Sequence, residues 1–240
     1  MQGKTALVIG ATGFIGQQLV QELLKDDSFT QIKLLVRKPV QYANPKVTVQ
    51  VVNFEDEKEV TARMPEGNVI FCCIGTTRKK VKGDKTAYRK IDYDIPMNLA
   101  RLGSQKGYSQ YALVSAVGAN AFSANFYLHL KGSVEEDIIY FPYKAIHIFR
   151  PSMLLGKREE FRLGEWIGKG ISRVISVLLF GSLRKYKPIY GSAVAKAMIA
   201  AVKQQSSGVE IYEYDEMKQL LLPPPAKATK SSTTPRLLNL

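Results

Sequence analysis

Tyr127 and Lys131 stand four residues apart in YLHLK, and Ser115 closes the apolar run YALVS twelve residues before Tyr127. Residues four apart share a face of a helix, so a helical FYLHLKGSVEEDI sets the phenol beside the ammonium. A phenol with a pKa of about 10 is a poor acid or base at neutral pH. A nearby ammonium favours its phenolate and fits the pair for proton transfer. Ser115 would hold the substrate oxygen, because the C-terminal edge of a strand is where α/β sheets bind ligands. Taken singly, the three also read as a core tyrosine, a surface lysine and a strand-end serine. Their joint placement behind a phosphate loop is what gives them weight.

That loop is VIGATGFIGQQLVQELL, where Gly10, Gly13 and Gly16 follow a strand pattern and open an amphipathic helix. Glycine lets the backbone turn sharply and approach a pyrophosphate, and the N–H groups of the helix start supply donors. Thr12, Phe14 and Ile15 belong to the same expected cofactor contact. A site selecting NAD usually carries a carboxylate at the end of the second strand. Here Arg37 and Lys38 occupy that place, with no carboxylate between Asp27 and Glu55. A guanidinium pairs well with a 2'-phosphate, so NADP(H) is preferred and NAD(H) stays admissible. Asn53 and Phe54 end the third strand, where an adenine would lie.

These residues need a scaffold. Strand patterns at Thr5 to Ile9, Ile32 to Val36, Val47 to Val52, Val69 to Cys73, Tyr111 to Val114 and Ala145 to Phe149 alternate with helical ones. Such alternation predicts an α/β fold, a Rossmann-like doubly wound parallel sheet with helices on both faces. Ile15, Leu19, Val20, Leu23 and Leu24 mark one helix, and Met97 to Leu102 another before Gly103. Ser192 reads as the N-cap of a helix through Val202, and Val209 to Tyr214 as one more strand. The expected organisation is a single domain over 1–220, with a small substrate lobe within 152–214. Residues 221–240, rich in Pro, Ser and Thr and free of acids, read as a mobile tail.

Composition sets outer limits. With 240 residues, 45% of them apolar, a sizeable core can be buried. Two adjacent cysteines, Cys72 and Cys73, cannot make a disulfide framework or a four-ligand zinc site, so no metal is expected. They read as structural thiols in a reducing compartment, and the start lacks a signal-peptide pattern, so the expected location is cytoplasmic. Ile171 to Leu183 is well short of the roughly 20 residues that span a bilayer. The net charge of +13 favours an anionic partner without naming it. Arg78 to Lys90 has seven cations and one acid, but Tyr88 is its one aromatic. It reads as a solvated loop, and no nucleic acid is expected. His129 reads as a packing residue, and Trp166, Ile167 and Ile171 as core.

The segments GATGFIG, VNFED, FCCIGTTR, Ser115 to YLHLK, IFRPSMLLG and RLGEWIGKG occur in that order over about residues 4–214. In them the chain resembles an atypical short-chain dehydrogenase/reductase, most closely the Tat-interactive-protein-like NAD(P)-binding oxidoreductases. The resemblance implies a catalytic set of Ser115, Tyr127 and Lys131. It further implies that Cys73, Gly75 and Thr76 follow the cofactor past the fourth strand, and that Pro151, Met153 and Leu154 approach its nicotinamide. The chain departs from many relatives by placing Asp92, not Asn, in KIDYDIPMNLA, which leaves the role of Asn98 open. The expected function is NADP-dependent hydride transfer to or from a carbonyl or alcohol, with a small-molecule substrate. The alternative is an NADP(H)-sensing module with little turnover. A protein partner and a homodimer are both compatible with the sequence.

Overall fold

The computed structural model describes residues 3–156, 179–204 and 206–223. Seven parallel strands form one sheet in the order β3-β2-β1-β4-β5-β6-β9. They are β1 (Lys4–Ile9), β2 (Phe29–Val36), β3 (Val47–Val51), β4 (Val69–Cys72), β5 (Gln110–Val114), β6 (Ala145–Phe149) and β9 (Gly208–Tyr212). The order reverses at β1 and β4, paired from Ala6 opposite Val69 to Ile9 opposite Cys72. Such a reversal opens a crevice at the C-terminal ends of the strands. The sheet is Rossmann-like and doubly wound.

One face carries α1 (Phe14–Lys25) and α6 (Gly191–Lys203), which bury Leu19, Leu23, Val194 and Met198 with Val8 and Phe71. The other carries α2 (Glu57–Arg63), α4 (Ile95–Gln105) and α5 (Phe126–Ile138), which bury Val60, Leu99 and Val134 with Leu7 and Ile70. β4 and β6 are buried along their whole length, as strands covered on both faces must be. A second, two-stranded sheet of β7 (Leu154–Leu155) and β8 (Ile189–Tyr190) lies past β6. α7 (Tyr214–Gln219) closes the described chain.

A local irregularity matters for the site. α3 (Lys85–Arg89) runs through a π-helical turn, Lys90–Asp94, into α4. Pro96 lies in the first turn of α4. Its ring has no N–H for the Asp92 carbonyl four residues back and would clash with it. The backbone accommodates this by widening: the Ile95 N–H donates to Lys90 O, five residues back.

Several sequence expectations are corrected. Ser192 lies inside the first turn of α6, whose N-cap is Tyr190 without a side-chain bond. The last strand stops at Tyr212, because Glu213 makes a capping box with Glu216 and starts α7. α4 continues past Gly103 to Gln105. Part of the cationic segment is helical, since Asp84 accepts from the Thr86 and Ala87 N–H groups and so caps α3. Trp166, Ile167 and Ile171, and the tail from 224 onward, lie outside the described residues. Among the described residues no helix is long and apolar enough to cross a membrane.

Candidate active site and cofactor cradle

The glycine loop leaves β1 and presses on the chain that follows β4. Gly10 has φ +80°, and a Cβ there would lie 2.6 Å from the Cys73 carbonyl carbon and oxygen. Gly13 turns back, its N–H donating to Gly10 O at 2.9 Å, and Gly16 lets α1 pack directly on Gly10. No side chain caps α1 and its first turn holds no carboxylate, so the positive end of its dipole is left for an anion. Thr12 is exposed on the loop, and Ile15 is buried beneath it. Phe14 points the other way: Gly156 and Gly191 are the glycines that make room for its ring. Phe14 therefore fastens the loop to the β7–β8 segment.

Arg37 and Lys38 are exposed just past β2. Arg37 joins Val52, Asn53, Phe54, Ala87 and Ile95 around a cleft of about 530 Å³. Glu55 and Glu59 also line it, but they pair with Lys90 (2.6 Å) and Arg63 (3.2 Å). Asn53 spends its Oδ1 on the Glu55 N–H at 3.0 Å, and Phe54 packs against the core. Three residues expected on the adenosine side, Arg37, Asn53 and Phe54, thus line one cleft, and Lys38 is not among its lining residues.

At the opposite end of the crevice, Ser115 directly follows β5. Its N–H donates to Phe149 O at 2.7 Å, and Val117 N–H to Pro151 O at 3.1 Å, so the strand ends stay joined and Pro151 is drawn beside Ser115. Arg150 Nε forks onto both Glu135 oxygens (3.1 and 3.0 Å), bolting α5 to the end of β6. Met153 O accepts from the Ile189 N–H at 2.9 Å, and Leu154 pairs with Ile189. Ser115 Oγ is buried with no hydrogen-bond partner among the described residues. A buried hydroxyl without a partner is costly, so one left at a sheet edge points to a ligand.

α5 starts where Asn125 Oδ1 accepts from the Tyr127 and Leu128 N–H groups. It carries Tyr127, half-buried, and Lys131, 4% exposed, one turn apart. Lys131 Nζ lies 3.1 Å from Asp92 Oδ1, and Asp92 Oδ2 accepts from the Thr76 N–H at 2.7 Å. Burial pushes the Lys131 ammonium down, but the Asp92 carboxylate and then Tyr127 raise it to a net position above the ordinary lysine value. The Cys72 and Cys73 thiols are pushed up by burial, which keeps them neutral and unreactive as expected of structural thiols.

The model of the NAD(P)H-binding family matches residues 10–139, more than half of the chain and everything from the glycine loop through α5. The chain belongs to the NAD(P)H-binding family, as an atypical short-chain dehydrogenase/reductase. This NAD(P)H-binding chain is 33% identical over 172 residues to the rat protein HTATIP2, covering 70% of each. It is 31% identical over 222 residues to "Protein FMP52, mitochondrial" of Eremothecium gossypii, covering 90% of this chain and 96% of that one. Its fold is that of a UDP-N-acetylglucosamine 4-epimerase from Methanobrevibacter ruminantium, with a TM-score of 0.65, 15% identity and coverage of 89% and 77%.

The expected cytoplasmic location is overturned by these relatives, since the FMP52 proteins of several yeasts are named mitochondrial. Two free thiols speak to redox state and do not separate one reducing compartment from another. His129 is also corrected: it is exposed, with Nδ1 on Ala121 O. Asn98 faces Arg101 at 2.6 Å, on the same side of α4. The sequence reading noted Tyr88 only as the lone aromatic of the cationic segment and Asp92 only as a departure. Pro96 behind Asp92 was the signal for the widened turn.

Proposed function

We propose that the chain is an NADP(H)-dependent oxidoreductase acting on a carbonyl or alcohol, with Tyr127 as acid and base. The observation that supports this reading is the buried Ser115 hydroxyl at the C-terminal end of β5, which has no hydrogen-bond partner among the described residues. The cradle fits a dinucleotide: Gly10 and Gly16 leave no room for side chains, and α1 offers an uncapped start. Gly10, Gly13 and the first turn of α1 would hold the pyrophosphate, Asn53 and Phe54 would flank the adenine, and Arg37 would take the 2'-phosphate. When bound, the cofactor supplies or accepts the hydride. Ser115 donates a hydrogen bond to the substrate oxygen. Tyr127 delivers a proton to that oxygen during reduction and removes it during oxidation. Lys131 stabilises the phenolate left on Tyr127. Of the segment within 152–214, the described strands β7 and β8 would contribute to the substrate side.

The test is NADPH oxidation against a panel of aldehydes, ketones and quinones. Tyr127→Phe is expected to lose at least about 100-fold in turnover with NADPH affinity nearly unchanged. Equal turnover in the variant defeats the assignment. No oxidation across the panel, with tight NADPH binding, would replace it by a cofactor-sensing module. We further propose a mitochondrial location, as for the FMP52 relatives; a tagged chain that fractionates away from mitochondria refutes it.

A further inference from the structure

Among the described residues two carboxylates are buried, Glu135 and Asp92. Glu135 is spent on Arg150, a pairing that fastens α5 to β6. Asp92 is different, because its two oxygens go to two separate parts of the candidate site.

Asp92 occupies the π-helical turn between α3 and α4 and is 1% exposed. A widened turn of this kind recurs at functional sites, because one extra residue turns a side chain out of the regular helical register. Oδ1 meets the Lys131 ammonium of α5, and Oδ2 holds the Thr76 N–H in the chain that follows β4. The carbonyl of Thr76 is held from the same segment: Tyr88 Oη, on α3, donates to Thr76 O at 3.1 Å. The Tyr88 ring in turn meets Tyr127 edge to face at 6.2 Å and Phe126 at 5.8 Å. One helical segment therefore holds both the N–H and the carbonyl of Thr76 and meets both functional residues of α5.

We propose that Asp92 is a positioning residue, whose buried carboxylate fixes the Lys131 ammonium by a direct ion pair and ties it to the Thr76 backbone. This rests on the reading of Tyr127 and Lys131 as the proton-transfer pair. An ammonium at this depth is strongly disfavoured unless a counter-charge accompanies it. The groups facing it are Asp92 from the π-helical turn, Tyr127 from its own helix and Cys72 from β4. Cys72 is held neutral by burial. Asp92 is thus the carboxylate that keeps Lys131 charged, and through it the potential felt by Tyr127. Asn98, paired with Arg101, takes no part.

The experiment titrates Lys131 in the full chain without substrate or cofactor, by NMR of lysine labelled with 13C at Cε, its resonance assigned by its absence in Lys131→Arg. In the unmodified protein Lys131 should titrate above the exposed lysines. In Asp92→Asn, which keeps the shape and removes the charge, burial is left in command and the midpoint should fall by at least about one unit. A midpoint in Asp92→Asn equal to that of the unmodified protein overturns the proposal, even if the variant melts earlier, since a structural role alone would not move it. Should Asp92→Asn fail to fold, the unmodified protein decides: a Lys131 midpoint below those of the exposed lysines overturns the proposal, and one above them supports it. An inactive protein with the expected Lys131 titration would sink the oxidoreductase reading and leave the ion pair's role standing. An active one with an unmoved midpoint would do the reverse.

Discussion

The two nicotinamide dinucleotides differ by one 2'-phosphate, and on the proposed reading Arg37 is the side chain that meets it. Arg37 stands on the wall of the cleft beside Asn53 and Phe54, and no carboxylate among the described residues pairs with it. A charge-assisted hydrogen bond contributes about 1.5 to 3 kcal/mol, and about 1.4 kcal/mol is tenfold in affinity. NADP(H) should therefore bind at least about tenfold tighter than NAD(H), by less at high salt. Arg37→Ala should weaken NADPH far more than NADH. Arg37→Asp should tip the preference to NADH, by repelling the phosphate and offering an acceptor to the ribose hydroxyls. Calorimetric titrations giving equal affinities for both cofactors in the unmodified protein would end the argument. Arg37 was readable from sequence because strand end and missing carboxylate are both local facts. Asp92 was not, because its partners Lys131 and Thr76 are 39 and 16 positions away and only the folded chain brings them to it.

At the scale of elements, the precision of the site depends on how α5 is seated. Its neighbour is the chain leading from Ser115, which is tied down by Asn120 N–H to Leu128 O (3.1 Å) and by His129 to Ala121 O. Gly132 makes this seating possible, since a Cβ there would overlap the backbone of Asn120 and Ala121. In an ordinary exposed helix, Gly→Ala stabilises by about 1 kcal/mol. At Gly132 the sign should reverse, because the clash is with backbone: Gly132→Ala should cost about 1 to 3 kcal/mol and lower Tm by several degrees. It should also reduce turnover by shifting Tyr127 and Lys131. A Tm equal to or above that of the unmodified protein would show that the loop yields freely. Sequence periodicity located α1 and the central strands because each buries a regular apolar stripe. In contrast, α5, which buries Lys131 and Glu135 beside Leu130 and Val134, was placed by its Tyr and Lys spacing. Periodicity missed α2 and α3, seven and five residues long, where charged faces and a single buried residue each, Val60 and Tyr88, leave no stripe to read.

At the scale of the whole molecule, the same sheet that opens the crevice at one edge encloses a titratable group in its interior. His147 on β6 is fully buried between β5 and β9. Gln110 donates its amide N–H to Val202 O at 3.2 Å, which turns its Oε1 toward His147 Nε2, also at 3.2 Å. That arrangement calls for the proton on Nε2, while Nδ1 faces the Tyr212 hydroxyl at 3.1 Å, whose own proton is donated to Glu210. Burial pushes the His147 pKa below the ordinary histidine value, and the nearby Glu210 offsets this in part. A histidine whose folded pKa is depressed binds its proton more readily in the unfolded chain. Its contribution to stability is therefore present above the unfolded pKa of about 6.5 and is lost as pH falls toward the folded value. Within that window the slope is at most about 1.4 kcal/mol per pH unit. His147→Gln keeps a polar side chain but cannot titrate. It should be less stable than the unmodified protein by about 1 to 3 kcal/mol at pH 7.5, where the His147 hydrogen bond to Gln110 is intact. The gap should then narrow as pH falls to 5, because only the unmodified protein has a buried imidazole to protonate. Urea unfolding of both proteins across this range measures the gap directly, and a gap that stays constant from pH 7.5 to 5 would mean that His147 keeps the same protonation in the folded and unfolded chains.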